Sequence, residues 1–557
     1  MGALEQGASF LRAGRFHEAL AQFVQALREQ PASPEPRIGM AQALQGSNDL
    51  LAATAWLTDA CRVAPQRIEL WSALGAMLAS AGRYAEVDAM LPLAFAMHPH
   101  DRGLRVLQAE SHVHQRRMDS AVACYEALAA DDPDDVLTQL HLGYCLDELY
   151  RFADAIAHYR RAIALQPDFM EAHVNLAGAL WRVGDFEGTL AHAQRAVQLA
   201  PDNPFAVRIL GTALLNLNRL EEAEVPLRRA LALKPGFDLA RVDLAFLLLL
   251  QARYEEGWAM YGARWHDTAR LKRPPFSTPQ LEWRGPKAQP LAGKRITVYA
   301  EQGLGDTIQF CRYLPLLRAQ GADVSFIVAP QLAPLLANSL AGIDVLPATG
   351  TVQTTYVAAL LDLPLLLGGT VEATPAAIPY LRAPPPAVGA WRERLSQWNS
   401  KRRIGIAWAG SPTQANNINR SLHLSACLPL LQVPGVQWFN LQKMDAGAFT
   451  DVDPASTPMI DLAPQWSDFA DSAAMVTQLD LVITVDTAVA HLAGALGVPV
   501  WVLLGPNADW RWLVRRDDSP WYPGVMRLFR RAHGEAPAVQ VQRVVEALRM
   551  HGAPPAA

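Results

Sequence analysis

The sequence predicts an α superhelix of tandem helix pairs followed by an α/β region made of two halves, each with its own parallel sheet. One observation is a 34-residue periodicity through the first half of the 557-residue chain. Periods of this length are typical of stacked supersecondary units. The other observation is an alternation of short β-branched runs with helix-like segments through the second half. Such alternation is typical of parallel sheets with helices on both faces.

Three sets of residues recur at the same period in the first half. They are the prolines at 31, 65, 99, 133, 167, 201 and 235, the large residues Phe16, Leu50, Tyr84, Met118, Phe152, Phe186, Leu220 and Tyr254, and the mostly small residues Ala19, Ala53, Val87, Ala121, Ala155, Thr189, Ala223 and Gly257. Between them the apolar residues follow helical spacing. Each unit is therefore predicted to be two antiparallel helices that approach closely at the small residue and end before the proline.

The chain is predicted to change character after residue 265. A Pro- and Gly-rich linker covers 266–292, and strand-like segments at 296–300 and 324–329 predict a first α/β half over 293–388. A second half covers 389–557. It contains strand-like segments at 403–410, 436–442, 479–485 and 498–505, a helix at 486–497, and a final helix at 539–552 that we expect to cross back to the first half.

The composition excludes several classes of protein. Its 49 basic and 54 acidic residues leave a net charge of -5, and the chain has no basic stripe of the kind that nucleic-acid-binding proteins use. The five cysteines are scattered without a CxxC pair, which favours a reducing compartment. The N-terminus lacks a signal-peptide pattern, and no apolar run reaches the ~20 residues of a membrane span. We therefore expect a cytoplasmic protein with no nucleic-acid partner and no membrane span.

The repeats and two short motifs resemble known families. The 34-residue units resemble the tetratricopeptide repeat over residues 1–265. In the second half, GLGD at 303–306 resembles the GxGD element of the heptosyltransferases (glycosyltransferase family 9), and DTA at 486–488 with His491 resembles their D-T-[GA]-x-x-H element. The chain is similar to bacterial glycosyltransferases fused to tetratricopeptide repeats, which include flagellin glycosyltransferases. This resemblance implies a GT-B fold of two Rossmann-like halves, an inverting transferase, a nucleotide-sugar as co-substrate, and no cofactor.

Asp306 is the candidate catalytic residue. It follows a predicted strand in a Gly-rich turn, at the edge where such sheets bind ligands. A carboxylate there is able to take the proton of an attacking hydroxyl, and the resemblance implies this role. Gly303 and Gly305 are candidates for a close approach of backbone to acceptor or donor. The alternatives are an N-cap role for Asp306 and plain turn chemistry for the two glycines.

The DTAVAH segment predicts a donor-binding helix N-terminus. Backbone N–H groups at such an end favour phosphate, and Thr487 with the backbone of Ala488 are the candidate contacts. Asp486 is a candidate contact of the donor sugar or a support of the loop, and His491 faces the same cleft. In the alternative, Asp486 is an N-cap and His491 is a core histidine.

Two further strand ends supply candidate donor contacts. Gly410 and Ser411 suit a phosphate-binding turn, and Arg420 supplies positive charge where the heptosyltransferases typically place a lysine. The alternative for Arg420 is a structural ion pair. Gln442 and Lys443 are weaker candidates for contact with the nucleotide base or ribose, and for them a plain surface position is slightly favoured.

The remaining polar and aromatic clusters predict no further chemistry. The run containing Trp510, Arg511, Trp512, Trp521 and Tyr522 is interpreted as packing between the halves or stacking on a ligand, not as catalytic. Asp451-Val452-Asp453 has the letters of a DxD metal motif but lies in a predicted loop before a proline. Alternate histidines on a helix point ~200° apart, so His112 and His114 do not share a face. We expect no metal site.

The leading functional hypothesis is a glycosyltransferase whose repeats recruit a protein acceptor and whose second half transfers a sugar to Ser or Thr hydroxyls. Flagellin is a candidate acceptor by resemblance alone. Two alternatives stay open, namely a lipopolysaccharide or other glycan acceptor and a non-catalytic repeat scaffold. The repeats are equally able to support homo-oligomers, and the sequence identifies neither the sugar nor the nucleotide.

Overall fold

The computed structural model describes residues 2–266, 273–347, 353–370, 374–375, 377–412, 414, 416–443 and 447–551. The chain forms two compact units, Met1–Leu180 and Trp181–Ala557. One helix, α11 (Met170–Arg182), runs across the boundary between them.

The first unit consists of helices throughout its described part. They are α1 (Ala3–Arg12), α2 (Phe16–Glu29), α3 (Glu35–Gly46), α4 (Leu50–Val63), α5 (Ile68–Ser80), α6 (Tyr84–Met97), α7 (Arg102–His114), α8 (Met118–Asp131), α9 (Val136–Glu148) and α10 (Phe152–Leu165), followed by most of α11.

The three periodic sets take the places that the sequence predicts. Each residue of the large set is the first residue of an even-numbered helix, such as Phe16 in α2. The small set is buried within the same helices, with Ala19, Ala53 and Ala121 fully inaccessible. Each periodic proline follows the end of such a helix by two residues. The predicted pairs of antiparallel helices are therefore confirmed.

A fourth periodic set appears only in the structure. Residues 14, 48, 82, 116, 150, 184, 218 and 252, again 34 apart, all have a positive φ at the turn inside a helix pair. Three of them are glycine and two are asparagine, the types that adopt this conformation most readily. The other three are Arg116, Tyr150 and Ala252.

The second unit begins with more helix pairs and continues with shorter helices. The pairs are α12 (Phe186–Leu199), α13 (Pro204–Asn216), α14 (Leu220–Leu233), α15 (Asp238–Leu250) and α16 (Tyr254–Tyr261). The shorter helices are α17 (Leu304–Phe310), α18 (Leu314–Ala319), α19 (Ala333–Ser339), α20 (Leu363–Leu366), α21 (Pro385–Leu395), α22 (Asn417–Arg420), α23 (Leu424–Leu431), α24 (Phe469–Val476) and α25 (Ala488–Leu496), followed by the longer α26 (Pro537–His551).

Two parallel sheets confirm the predicted α/β class. The first contains β1 (Arg295–Tyr299), β2 (Asp323–Val328), β3 (Asp344–Pro347) and β4 (Tyr356–Ala359) in the order β3-β2-β1-β4. The second contains β5 (Arg402–Ala407), β6 (Val436–Asn440), β7 (Ile460–Asp461), β8 (Leu481–Val485), β9 (Val500–Leu504) and β10 (Met526–Arg530) in the order β10-β9-β8-β5-β6-β7. All the pairings are parallel.

Both faces of the second sheet are buried. Along β9, Val500 and Val502 join a core that also contains residues of the first sheet, of α16 and of α25. The alternate residues Trp501 and Leu503 join a separate core with α23 and α26. Successive side chains of a strand point to opposite faces, so a sheet covered on both sides needs apolar residues at every position.

The final helix is the one element whose place was predicted wrongly. The sequence analysis expected 539–552 to cross back to the first half, whereas α26 packs on α23 and β10. Its apolar stripe, which includes Val541, Val544 and Leu548, is buried in the core on the outer face of the second sheet. No helix in the described ranges combines the length and the apolar character of a membrane span. The domain boundaries and the cytoplasmic location stay predictions.

Candidate active site

A cavity of about 1090 Å³ in the second unit contains every candidate site residue. Its lining includes Gly303, Gly305, Asp306, Gly410, Ser411, Arg420, Gln442, Lys443, Asp486, Thr487, Ala488 and His491. These residues follow the carboxyl ends of β1, β5, β6 and β8. The carboxyl ends of parallel strands share one edge of a sheet, where ligands of α/β proteins bind. The topology therefore explains why the residues after β5, β6 and β8 lie together, and the residues after β1, in the first sheet, line the same cavity.

Asp306 lies at the third position of α17, and its side chain is 22% exposed. Its Oδ2 accepts a hydrogen bond of 2.9 Å from the backbone N–H of Gly303, the residue before the helix. The N-cap role considered for Asp306 is therefore wrong, because α17 begins earlier, at Leu304, and the N-cap is Gly303. The carboxylate supports the helix start and still faces the cavity.

Arg511 is the second partner of Asp306. Its Nη2 donates to Asp306 Oδ1, and its side chain is only 8% exposed. Burial raises the pKa of the Asp306 carboxyl, and the guanidinium of Arg511 partly offsets that rise. For Arg511, the two carboxylates of Asp306 and Asp509 outweigh burial and raise its pKa, so it is always charged. The cavity thus holds a carboxylate whose proton affinity is set by two opposing effects.

The N-terminus of α25 opens into the cavity. Thr487 is its N-cap, and Thr487 Oγ1 accepts from Val489 N–H at 3.3 Å. Asp486 is therefore not the N-cap; it precedes the cap at the end of β8, and burial raises the pKa of its carboxyl while Arg420 lowers it. The N–H of Val489 is bound by the Thr487 side chain, and that of the following residue donates to the Thr487 carbonyl at 3.0 Å, so the N–H of Ala488 is the first-turn donor best placed for an anion.

His491 lies one turn along α25 and is neutral. Its side chain is 4% exposed, its Nδ1 is 2.9 Å from Tyr522 Oη, and its ring stacks on Trp512 at 5.3 Å. Burial, reinforced by Arg511, holds the pKa of His491 well below its usual range. Gly305 allows α17 to approach it, because a Cβ there would lie 2.9 Å from His491 Cδ2. His491 therefore lines the cavity and is also a core histidine with a satisfied partner.

Gly410 and Arg420 form one wall together. A Cβ at Gly410 would lie 2.5 Å from Arg420 Nη2, so the guanidinium covers the glycine directly. The N–H of Gly410 is bound by Ser421 Oγ at 3.0 Å, and Ser411 continues the wall. Arg420 Nε is buried and has no hydrogen-bond partner in the described part of the chain. Such a guanidinium is suited to an anionic ligand.

Gln442 and Lys443 line the wall after β6. Gln442 Oε1 accepts from the N–H of Ala409 at 3.1 Å, which ties the ends of β5 and β6 together. Lys443 is exposed and its Nζ donates to the carbonyl of Trp466. Gln442 thus supports the loop that follows β5, and Lys443 places a positive charge at the edge of the cavity.

The sequence analysis missed several residues of the cavity wall. Arg511 and Asp509 are the most important, and Phe246, Tyr261 and Gln302 are others. Tyr261 Oη accepts from Gln302 Nε2 at 2.8 Å, so the last helix pair contributes directly to the wall. A charged residue between two tryptophans, as Arg511 is, signals a buried ion pair, and this signal was available in the sequence.

The described residues contain no group of three or more His, Cys, Asp or Glu side chains arranged to hold a metal ion. The cations that line the cavity are those of the protein itself, at Arg420, Arg511 and Lys443.

Comparison with known families matches both parts of the chain. Tetratricopeptide repeat profiles match residues 10–78, 106–168, 148–204 and 174–238. The profile of glycosyltransferase family 9 (heptosyltransferase) matches residues 451–544, a range that contains Asp486, His491 and Arg511. The catalytic candidate Asp306 lies outside this range.

A curated relative and two solved structures are similar over parts of the chain. Protein FlbA of Caulobacter vibrioides is 31% identical over 316 residues, which is 52% of this chain and 52% of the relative. The chain therefore spans about half the length of the curated relative that it matches.

The APC/C hetero-tetramer Cut9-Hcn1 is 16% identical over 43% of this chain and 48% of that chain, with a TM-score of 0.34. A tetratricopeptide repeat protein from Parabacteroides merdae is 12% identical over 44% of this chain and 97% of that chain, with a TM-score of 0.36. Scores this low carry no functional argument. The profiles and the curated relative together show a chain that combines tetratricopeptide repeats with a heptosyltransferase-like segment of glycosyltransferase family 9.

Proposed function

We propose that the protein is an inverting glycosyltransferase that moves a sugar from a nucleotide-sugar to Ser or Thr hydroxyls of a protein acceptor recruited by the repeats. One observation carries the proposal: a carboxylate, a helix N-terminus and an arginine with a free Nε line the same cavity. The family 9 match supports the reaction class. The proposed reaction uses neither a metal ion nor a cofactor.

Asp306 is the proposed base. The acceptor oxygen attacks the anomeric carbon on the face opposite the leaving group, and the bond between that carbon and the phosphate oxygen breaks. The hydroxyl proton passes to the Asp306 carboxylate, and the electron pair leaves with the nucleotide phosphate. A carboxylate whose pKa is raised by burial is a better proton acceptor than an exposed one, provided that it remains ionised.

The groups opposite Asp306 are suited to stabilise the leaving phosphate. Charge developing on the departing oxygen is stabilised by fixed donors that need no reorganisation. Arg420 and the backbone N–H of Ala488 at the start of α25 supply such donors, and Ser411 adds a hydroxyl. Because His491 is neutral, it serves as a hydrogen-bonding wall of the sugar site and not as a charge.

A second cavity of about 330 Å³ is the proposed path of the acceptor segment. It shares Arg420, Asp486 and Asp509 with the first cavity. Its other walls come from the last helix pairs, from the segment around α22 after β5 and from the loop after β9. They are rich in side-chain amides: Asn216, Asn218, Asn416, Asn419 and Asn507. Side-chain amides both donate and accept hydrogen bonds, as the groups of a peptide backbone require.

The test compares cells that express the wild-type chain, Asp306→Asn or Asn218→Trp, by intact mass spectrometry of their proteins and glycans. Asp306→Asn should abolish a sugar-sized mass on a protein. Asn218→Trp should reduce it by narrowing the second cavity while leaving hydrolysis of the donor intact. Asn218→Ala is the matched control, because it bears the same cost of the positive φ of 56° without adding bulk.

Other outcomes separate the alternatives. A mass lost from a lipopolysaccharide or another glycan, with proteins unchanged, would replace the protein acceptor by a glycan. If no mass changes and the purified chain hydrolyses none of a panel of UDP-, GDP-, ADP- and CMP-linked sugars, the enzymatic proposal is wrong and a scaffold role stands.

A further inference from the structure

Arg511 is bound on three sides. Besides donating to Asp306, it donates through Nη1 to Asp509 Oδ1 at 2.8 Å and through Nε to Gln309 Oε1 at 2.9 Å. Its guanidinium lies 4.3 Å from the ring centre of Trp510. Asp509 in turn caps the short 3-10 helix Trp510–Trp512 by accepting from the N–H of Arg511 at 3.0 Å. These contacts fix the guanidinium of Arg511 between two carboxylates that line the cavity, Asp306 and Asp509.

We propose that Arg511 is a positioning residue of the transfer reaction: it holds the Asp306 carboxylate in place and keeps it ionised, while Asp509 fixes Arg511 and opposes its charge. This inference rests on the proposed function, because it takes Asp306 as the base. It adds two residues that the motifs of the sequence do not include.

The geometry supports the positioning role. One oxygen of Asp306 is bound by the Gly303 N–H and the other by Arg511, so the carboxylate is prevented from rotating. An ionised carboxylate has about four acceptor sites. Two of them are used here, and the exposed part of the group, 22% of the side chain, leaves the remainder for an acceptor hydroxyl.

The charges around Asp306 support the ionisation role. Arg511 and Arg420 face it as cations, and Asp509 faces it as an anion. The nearby ring of His491, which packs against Gly305, is neutral, and so is the phenol of Tyr261, because burial raises its pKa. Arg511 thus lowers the pKa of Asp306 and Asp509 raises it, although the two residues are two positions apart on one segment.

Because Arg511 and Asp509 shift the pKa of Asp306 in opposite directions, substitutions of the two residues in the full-length chain should have opposite effects. The variants are Arg511→Gln, Asp509→Asn and the control Arg530→Gln, which removes a guanidinium that donates to the backbone carbonyls of Trp512 and Arg516. The readout is the pH dependence of donor hydrolysis, using whichever UDP-, GDP-, ADP- or CMP-linked sugar the wild type hydrolyses fastest. The acid limb of kcat/KM should move up by about 1–3 pH units in Arg511→Gln. It should move down in Asp509→Asn and stay in place in Arg530→Gln.

A second variant distinguishes a loss of positioning from a loss of folding. Arg511→Lys keeps the charge but loses the planar fork that binds Asp306 and Asp509 together. It should keep the acid limb near that of the wild type and lower kcat, with the KM of the donor unchanged. A rise in KM without a change in kcat would instead make Arg511 a donor-binding residue and overturn the inference.

Thermal stability gives a readout that needs no sugar donor. At each pH, the Tm of each chain is compared with that of the same chain carrying Asp306→Asn, so that the difference reports the ionisation of Asp306. Shifts of opposite sign for Arg511→Gln and Asp509→Asn are expected. Equal or absent shifts would overturn the inference even if the wild type is active. If the wild type hydrolyses no donor, the proposed function fails, and the Tm series still decides whether Arg511 controls Asp306.

Discussion

The side chain of Asp306 lies between two environments with opposite effects on its proton. Burial favours the neutral carboxyl, and Arg511 favours the carboxylate. A fully exposed aspartate would be ionised but weakly basic, and a buried one without a cation would be protonated and inactive. The proposed role as a base depends on this balance, because burial makes the carboxylate more basic and Arg511 favours its ionised form.

Asp306→Asn is expected to lower transfer by about 10²–10⁴-fold, the usual contribution of general-base catalysis. It should also change the pH dependence of stability. Because the pKa of Asp306 is raised in the folded state, its contribution to stability is fully present below the unfolded pKa of about 3.9 and is lost as the pH rises through the folded value. The Tm of the wild type relative to Asp306→Asn should therefore fall as the pH is raised from 4. A constant difference would show that Asp306 is not buried as described.

Gly305→Ala is expected to destabilise the fold by about 1–3 kcal/mol, because the new methyl group would lie 2.9 Å from His491 Cδ2 and 3.5 Å from Ala488 Cα. The matched control is Gly389→Ala in α21, where a Cβ meets nothing within 4 Å. That substitution should stabilise the chain by about 0.5–1 kcal/mol, since alanine is the better helix former. Urea unfolding of both variants measures the contrast, and similar effects of the two would contradict the close approach of α17 and α25.

At the scale of elements, the repeats and strands follow from the sequence far better than the contacts between side chains do. The 34-residue period places the first residue of each even-numbered helix from Phe16 to Tyr254, because any insertion would have broken the register. The site motifs follow the strand ends of β5 and β8, which parallel topology brings to one edge of the second sheet, and of β1, which ends at the corresponding edge of the first sheet.

The pairing of Asp306 with Arg511 joins residues 205 positions apart, and that of His491 with Tyr522 joins residues 31 apart. The tryptophans on either side of Arg511 indicate a buried charge, but no local pattern identifies its partner or that of His491. The sequence places Arg511 in an aromatic cluster that indicates packing between the halves or stacking on a ligand. This interpretation does not include the ion pair, because Asp306 follows a strand of the other sheet.

Tyr150→Asn is expected to stabilise the chain by about 1 kcal/mol. Tyr150 has a φ of 62° and is 60% exposed, so it bears the cost of a left-handed backbone and buries little apolar surface. Asparagine stands at the equivalent positions 48 and 218 and tolerates this conformation. The reverse change, Asn48→Tyr, should destabilise by a similar amount. Urea unfolding measures both, and a loss of stability in Tyr150→Asn would show that the contact of Tyr150 with Phe152 outweighs the backbone cost.

Thr487→Val is expected to cost about 0.5–2 kcal/mol, because valine removes the side-chain cap of α25 and keeps the volume. Thr487→Ser retains the hydroxyl and should remain near the wild type. If the helix start also binds phosphate, the valine variant should bind a nucleoside diphosphate more weakly, which isothermal titration calorimetry measures. Unchanged affinity in a folded Thr487→Val chain would place the phosphate elsewhere in the cavity.

At the scale of the whole molecule, the candidate site is built within the second unit alone. Every residue that lines the larger cavity lies at or after Phe246. A chain that begins at residue 169, just before α11, is therefore expected to hydrolyse the donor at a rate similar to that of the full chain and to lose most transfer to the acceptor. Its solubility should fall, since the inner face of a repeat becomes exposed. Loss of donor hydrolysis in a folded chain of this length would show that the first unit takes part in catalysis.

The last repeat helix, α16, belongs to the repeat array and also packs against the α/β part of the second unit. In α16, Trp258 lies 5.8 Å from Phe310 and 5.2 Å from Trp510, and Tyr254 lies 5.9 Å from Trp521. The final repeat unit therefore has to change in step with the aromatic residues that it touches.

The two repeat units before the final one share this constraint, because Phe186 packs against His533 and Asn218 donates to the carbonyl of Pro506. Grafting a foreign repeat array onto this chain should succeed when the junction is made before α11 and fail when α16 itself is exchanged.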